Sequence, residues 1–145
     1  MAKHKYASWM AAFILGLGII GYKPIKDTIT EKPVDKKVIL AIYKDNDYLS
    51  EAYNYTYAQV EVKVEKADGS ESTTVLDTTF GGKLLKDYPS EKNALQQEVT
   101  IPNVFANKEE VTITYILTYY SEGSRLQMQN SMVLKNEMEQ LNIGI

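Results

Sequence analysis

Three acidic residues close together in the chain are the ones whose type and spacing could bind a metal ion. Asp45, Asp47 and Glu51 supply clustered carboxylate oxygens after a short apolar run, and calcium prefers ligands of this kind. The segment departs from the EF-hand pattern, because Leu49 and Ser50 stand where that pattern has a further ligand and a glycine. The same composition is typical of a turn-rich loop without a metal. We therefore expect a loop with a candidate calcium site and no other cofactor.

Tyrosine is concentrated in the same region. Because a tyrosine ring buries a large area while its hydroxyl stays hydrated, such a cluster at one end of a domain can bind sugar rings or a partner protein. The alternative is that the rings simply pack against the core. Residues 53, 55 and 57 share one strand face if strand pairing begins that early, which favours the binding interpretation. The predicted ligand-binding residues are Tyr48, Tyr53, Tyr55 and Tyr57.

The residue types needed for nucleophilic catalysis are missing from most of the chain. The sequence contains no cysteine and one histidine, His4, which precedes the hydrophobic N-terminal run. A domain after that run cannot assemble a Ser/His/Asp or Cys/His site, a disulfide or a thiolate metal site. A carboxylate pair of the glycosidase type remains as a remote alternative. We expect no enzymatic activity, because the acids alternate with lysines or fall in turns.

The charge of the chain argues against nucleic-acid binding. The net charge of the whole sequence is −3. Setting Lys3 and Lys5 aside leaves 14 of the 16 basic residues against 19 acidic ones, a net charge of −5. A domain of this charge with a single arginine, Arg125, lacks the basic stripe that a phosphate backbone needs.

The N-terminus has the layout of an export signal or a membrane anchor. Lys3 and Lys5 precede an uncharged run of 17 residues from Tyr6 to Tyr22. The run is near the lower limit of roughly 17–25 residues for a spanning helix and longer than the roughly 7–15 of a signal-peptide core. A cleaved signal peptide and a retained hydrophobic helix both stay open. Either places the remaining chain in the periplasm or at the cell surface, secreted or tethered to the membrane.

The rest of the chain predicts one domain behind a short tether. We divide the sequence into a signal peptide or anchor (1–22), a charged tether with two prolines (23–36) and a β-domain (37–145). The tether could instead contribute a first edge strand. About 120 residues after the run suit one core rather than two.

Alternating apolar and polar residues predict the strands of this domain. We expect hairpins at Asp68-Gly69 and at 121–124, and chain breaks at Gly81-Gly82 and Pro102-Asn103. A seventh strand could come from 141–145 or 29–34, and 135–140 could form a helical turn. The six predicted strands are 38–43, 58–65, 72–80, 95–101, 111–119 and 126–134.

Six or seven strands with turns between them, and no amphipathic helix, predict an all-β fold. The expected architecture is an antiparallel immunoglobulin-like β-sandwich, with an open β-barrel as the alternative.

The leader resembles that of small exported, lipoprotein-like β-sandwich proteins of Gram-negative, Bacteroides-type envelopes. Ile19-Ile20-Gly21 is similar to the triplet that precedes the lipid-carrying cysteine of those proteins, and Tyr22 occupies the position of the cysteine. Asp27-Thr28-Ile29 and Asp77-Thr78-Thr79 resemble their short O-glycosylation acceptor sites. The resemblance implies an envelope protein, although without a thiol at position 22 no thioether-linked lipid can form.

These observations predict a non-enzymatic binding or adhesion module. Its partners would be a membrane, through the N-terminal segment, and a glycan or protein at the tyrosine-rich surface. The alternative is a structural subunit of an envelope or surface assembly, packed in the manner of a pilin or by strand addition.

Overall fold

Residues 31–145 are described by the computed structural model. The predictions for 1–30, including the hydrophobic N-terminal helix, lie outside the described residues. Within the described range no helix is long and apolar enough to cross a membrane. The three short helical turns there are of the 3₁₀ type and span Glu51–Tyr53, Leu85–Asp87 and Glu91–Asn93. The strands are β1 (Val34–Tyr43), β2 (Tyr57–Asp68), β3 (Glu71–Leu84), β4 (Leu95–Val104), β5 (Glu109–Ser121), β6 (Ser124–Val133) and β7 (Met138–Gly144).

The seven strands form two sheets and confirm the prediction of an all-β fold. One sheet has three strands in the order β4-β1-β7, and the other has four in the order β3-β2-β5-β6. The two sheets share no strand, so they do not close into a barrel. β1 begins at Val34, before the predicted start at Lys37, and pairs antiparallel with β4 and parallel with β7. The predicted C-terminal strand exists as β7, which already includes Met138 and leaves no helical turn over 135–140.

The inner faces of the two sheets form one hydrophobic core. Along β2 the alternation is as predicted, because Val60, Val62 and Val64 are buried while Glu61 and Lys63 are partly exposed. Each such burial contributes about 1.5–3 kcal/mol, and the cysteine-free chain relies on it in place of disulfides. The largest fully buried side chains are Leu40, Ile42, Ile101, Ile113, Leu134, Ile143, Ile145, Val38, Val60, Val62, Val64 and Val104.

Both predicted hairpins are confirmed. β2 and β3 meet at the pair Asp68–Glu71, with Gly69 at a φ of 60°. β5 and β6 meet at the pair Ser121–Ser124. In that turn Glu122 and Gly123 both have positive φ angles, of 43° and 81°, as a two-residue turn of type I′ requires.

The predicted chain break at Gly81-Gly82 is wrong. β3 continues through both glycines to Leu84. The register shifts there, since Ala58 pairs with Lys83 and Val60 pairs with Phe80. The glycines therefore form a β-bulge, which is a common role for glycine within a strand.

The predicted end of β4 at Pro102-Asn103 is also wrong, because the strand runs on to Val104. The register shifts between Val34, which pairs with Val104, and Lys36, which pairs with Ile101. Pro102 and Asn103 therefore form a bulge opposite Asp35. Proline is tolerated there because β4 is an edge strand. Asn103 has a φ of 54°, and its N–H donates to the Asp35 carboxylate at 2.9 Å.

The connection from β3 to β4 is anchored by Tyr88. Its side chain is buried, and its hydroxyl donates to the carbonyl of Ala58 at 2.7 Å and lies 3.4 Å from that of Gly81. The hydroxyl thus supplies a donor to a buried backbone oxygen beside the Gly81-Gly82 bulge. Burial raises the pKa of the Tyr88 hydroxyl, so it remains a donor at neutral pH.

We expect Tyr88→Phe to lower the free energy of unfolding by about 1–3 kcal/mol, because it leaves a buried carbonyl without its partner. Urea denaturation measures this difference. Tyr55→Phe is the matched control, since the side chain of Tyr55 is 72% exposed and removal of its hydroxyl should leave the unfolding midpoint unchanged. Equal midpoints for Tyr88→Phe and the control would contradict the anchoring role.

Candidate functional site

The loop between β1 and β2 is held against the end of β7 by Tyr48. The Tyr48 hydroxyl lies 2.9 Å from the Asp45 carboxylate and also contacts the backbone oxygen of Ile145, so its one hydrogen is shared between two acceptors. The Asp45 N–H donates to the same Ile145 oxygen at 3.1 Å. Tyr48 has a φ of 53°, a conformation that costs a non-glycine residue of order 1–3 kcal/mol. These hydrogen bonds offset that cost and hold the ring in one position.

The electrostatic setting of Tyr48 keeps its hydroxyl protonated. Burial raises the pKa of Tyr48 well above its usual value, and the hydrogen bond to Asp45 raises it further. The neutral hydroxyl therefore stays a donor over the physiological pH range. The side chain serves the site through its ring, not through acid or base chemistry.

Tyr53 lies against Tyr48 and completes an aromatic pair. The two ring centroids are 5.2 Å apart and the planes meet at 73°, an edge-to-face arrangement that such rings prefer. Tyr53 ends the 3₁₀ turn Glu51–Tyr53, where Ser50 Oγ accepts from the N–H of Ala52 at 3.4 Å. The side chain of Tyr53 remains 40% exposed. One ring of the pair is thus anchored and the other is available to a ligand.

These two rings line an open groove at one end of the four-stranded sheet, which we call the tyrosine groove. Its volume is about 450 Å³. Thr56 Oγ1 donates to Ser121 Oγ at 3.1 Å and joins the start of β2 to the end of β5. The groove combines aromatic and aliphatic side chains with hydroxyls, and its lining residues are Tyr48, Ala52, Tyr53, Thr56, Leu85, Tyr119, Ser121, Ser124, Arg125 and Leu126.

The structure separates the four tyrosines predicted to bind a ligand. It brings Tyr48 and Tyr53 together and leaves the other two outside the groove lining. Tyr55 lies in the turn before β2, and Tyr57 is the first residue of that strand and is 47% exposed. Strand pairing begins only at Tyr57, so the condition under which residues 53, 55 and 57 would share one strand face is not met. The chain turns first, because the N–H of Thr56 donates to the carbonyl of Tyr53 at 3.1 Å.

Sequence reasoning missed the contribution of the β5–β6 hairpin to the groove. Tyr119 pairs with Leu126 across this hairpin, and both side chains line the groove. The predicted turn at 121–124 could have indicated this contribution, since the turn fixes which residues of the two strands lie opposite each other.

A second aromatic feature lies on the outer face of the same sheet. Tyr57 pairs with Tyr120, which in turn pairs with Arg125. The Arg125 guanidinium lies 5.7 Å from the centroid of the Tyr120 ring, within the range of a cation–π contact. Tyr57 thus belongs to an exposed row that is separate from the Tyr48–Tyr53 pair.

The acidic residues predicted to bind calcium are not gathered into a metal site. Within residues 31–145 no group of three potential metal ligands is close enough to hold an ion. Asp45 accepts from Tyr48, and Asp47 lies 3.9 Å from the ammonium group of Lys44. Glu51 begins the 3₁₀ turn and is exposed. Calcium binding stays a prediction, and a melting temperature that is equal in excess calcium and in a chelator would rule it out.

Three carboxyl groups with shifted pKa values have structural partners. Backbone N–H groups of Phe105 and of Asn136 lower the pKa of Glu109 and of Glu139, respectively. The Lys63 ammonium lowers the pKa of Glu65. All three shifts favour the ionised form, whereas the acid of a glycosidase needs its pKa raised.

Comparisons of the chain with protein-family models, with curated proteins and with solved structures found no match.

Replacement of Tyr48 by phenylalanine tests the anchor of the groove. We expect Tyr48→Phe to lower the free energy of unfolding by about 1–2 kcal/mol at neutral pH, because the hydroxyl contacts two acceptors. Urea denaturation checks this, with Tyr57→Phe as the exposed control. An unchanged midpoint for Tyr48→Phe would contradict the anchoring role.

The pH dependence of stability provides a second test of Tyr48. A raised pKa in the folded state means that tyrosine ionises more easily in the unfolded state, so stability is retained below about pH 10 and falls as the pH rises further. We expect Tyr48→Phe to lose less stability than the wild type between pH 9 and roughly 11. Parallel curves for the two proteins would show that Tyr48 does not contribute.

Proposed function

We propose that this protein is a non-enzymatic binding or adhesion module that presents its tyrosine-rich end to a glycan or a protein. The observation that carries the proposal is the tyrosine groove, in which Tyr48 is held in place and Tyr53 remains exposed. Binding sites are typically concave, mostly apolar and provided with a few polar groups that orient the ligand. Ser121 and Ser124 supply such groups on the groove lining.

Of the two ligand classes, a glycan suits the groove better. Sugar rings present apolar C–H faces to aromatic rings and hydroxyls to neighbouring polar side chains. The groove offers Tyr53 and Tyr119 for the first type of contact and Ser121 and Ser124 for the second.

The finer details of fold and location belong to the same proposal. We infer an immunoglobulin-like sandwich, which is supported by seven strands in sheets of three and four and by their mainly antiparallel pairing. The basic residues before the hydrophobic run support export and tethering to an envelope membrane. Such a tether would keep the groove near the surface on which the module acts.

A structural subunit is the second candidate function. The edge of β6 favours it, because this strand has no bulge, no proline and a single charge, which leaves its edge open to strand addition.

Binding to a glycan array and to soluble polysaccharides tests the proposal. We expect Tyr53→Ala to weaken binding about tenfold, the change that corresponds to about 1.4 kcal/mol of lost aromatic contact. Tyr55→Ala is the matched control, because its side chain is exposed and lies outside the groove lining. Binding that survives Tyr53→Ala unchanged would show that the ligand does not bind in the groove. If Tyr57→Ala alone abolished binding, the ligand site would lie on the outer face of the sheet.

A further inference from the structure

The two sheets have four edge strands, and three of them are protected against pairing with another chain. Proteins protect such edges with bulges, prolines, charges or short strands. β3 contains two register shifts, and β4 contains Pro102 within a bulge. β7 has 7 residues and carries Glu139. β6 has no bulge and no proline, and its 10 residues do not make a short strand. It pairs with β5 from Ser124 to Val133 without a register shift, and Arg125 is its single charge.

β6 also has exposed side chains on its inner face. Elsewhere in the four-stranded sheet, this face is covered by the three-stranded sheet. Leu126 and Met128 lie on the inner side of the sheet, as do their β5 partners Tyr119 and Leu117. Leu126 is nevertheless 60% exposed, and Met128 is 44% exposed. Apolar side chains and unpaired backbone groups thus coincide on one strand. Two such features together indicate an interface rather than a random surface position.

We propose that β6 pairs antiparallel with β6 of a second copy of this chain, about a two-fold axis at Gln129. The pairing joins two four-stranded sheets into one continuous sheet. A two-fold interface of this kind brings the same strand of each copy together. The proposal commits to a second copy because antiparallel self-pairing places Leu126 opposite Met132 and polar Gln127 opposite Ser131.

The register follows from the residues that would face each other. With the axis at Gln129, Leu126 faces the partner's Met132, so that apolar residues meet. The neighbouring register, with the axis at Met128, would instead place Leu126 opposite the partner's Asn130. In the chosen register Arg125 faces the partner's Val133, and no two charges of the same sign are opposed. Like charges directly opposite would be destabilising.

The backbone of β6 has the correct orientation for this register. In a two-residue hairpin the residues that flank the turn, here Ser121 and Ser124, exchange backbone hydrogen bonds. Every second residue from Ser124 therefore bonds to β5, and the residues between them direct their N–H and C=O groups to the free edge. Gln129 is one of these, so at the axis it would exchange two hydrogen bonds with the Gln129 of the partner subunit.

This inference goes beyond the proposed binding function and does not depend on a glycan; it rests on the second candidate function and names the partner of the strand addition. Self-pairing uses the free edge and inner side of β6, whereas the ligand contacts of the groove use Tyr53 and Tyr119. Failure of one proposal would leave the other standing.

The first test uses charge at the axis. The full-length chain, in detergent because of its hydrophobic N-terminal run, is examined by analytical ultracentrifugation as Gln129→Lys, Gln129→Glu and an equimolar mixture. We expect each variant alone to associate about fivefold more weakly than the wild type, because like charges oppose each other. The mixture should regain wild-type association. Gln96→Lys is the control, since Gln96 lies exposed on the protected strand β4.

The absence of cysteine from the chain allows a second test of the register. Gln127→Cys mixed with Ser131→Cys should form a disulfide under mild oxidant, because directly opposite residues in a hydrogen-bonded pair have Cα atoms about 5.5 Å apart. Preferential cross-linking of Gln127→Cys with Gln129→Cys instead would overturn the register. Thr74→Cys on β3 is the control for random collision. A wild type that stays monomeric at high concentration, or equal cross-linking by the control, would overturn the interface itself.

Discussion

The difference in width between the two sheets is the constraint from which the rest of the structure follows. Burial of their inner faces drives folding, and the chain has no disulfide to assist it. A sheet of three strands cannot cover one of four. The uncovered strand is β6, where Leu126 and Met128 remain exposed, while the alternating valines of β2 are fully covered. The groove lies beside this uncovered strand, so the same mismatch explains both the candidate ligand site and the exposed edge.

The groove depends on a loop that the core alone would not hold in place. Residues 44–56 contain no strand and only one short 3₁₀ turn. Tyr48 compensates, because its hydroxyl ties the loop to Asp45 and to the end of β7. The left-handed backbone at Tyr48 then orients its ring towards Tyr53. Rigid positioning of an aromatic side chain lowers the entropic cost of ligand binding, which supports the proposal that this anchored ring is part of a binding surface.

The sequence predicted the strands well where one face of a strand is buried. The alternation in β2 and β5 and the turn residues Asp68-Gly69 report directly on local geometry. The prediction of strand ends failed at Gly81-Gly82 and Pro102. Whether such residues end a strand or form a bulge depends on the partner strand. For the candidate site, local spacing predicted four tyrosines, of which Tyr48 and Tyr53 line the groove. It could not identify Tyr119, which reaches the groove only through the register of β5 with β6.

The groove and the free edge of β6 share residues, and this has consequences for binding. Arg125 and Leu126 line the groove and belong to β6. In the proposed dimer the partner's Met132 lies beside Leu126, so each groove would gain apolar surface from the other copy at its rim. A ligand that contacts both copies would bind the dimer more tightly than the monomer. By thermodynamic reciprocity the same ligand would strengthen dimerisation by an equal factor. An open groove with modest intrinsic affinity could thus become effective on a surface with repeated ligands, where two linked sites give avidity that neither has alone.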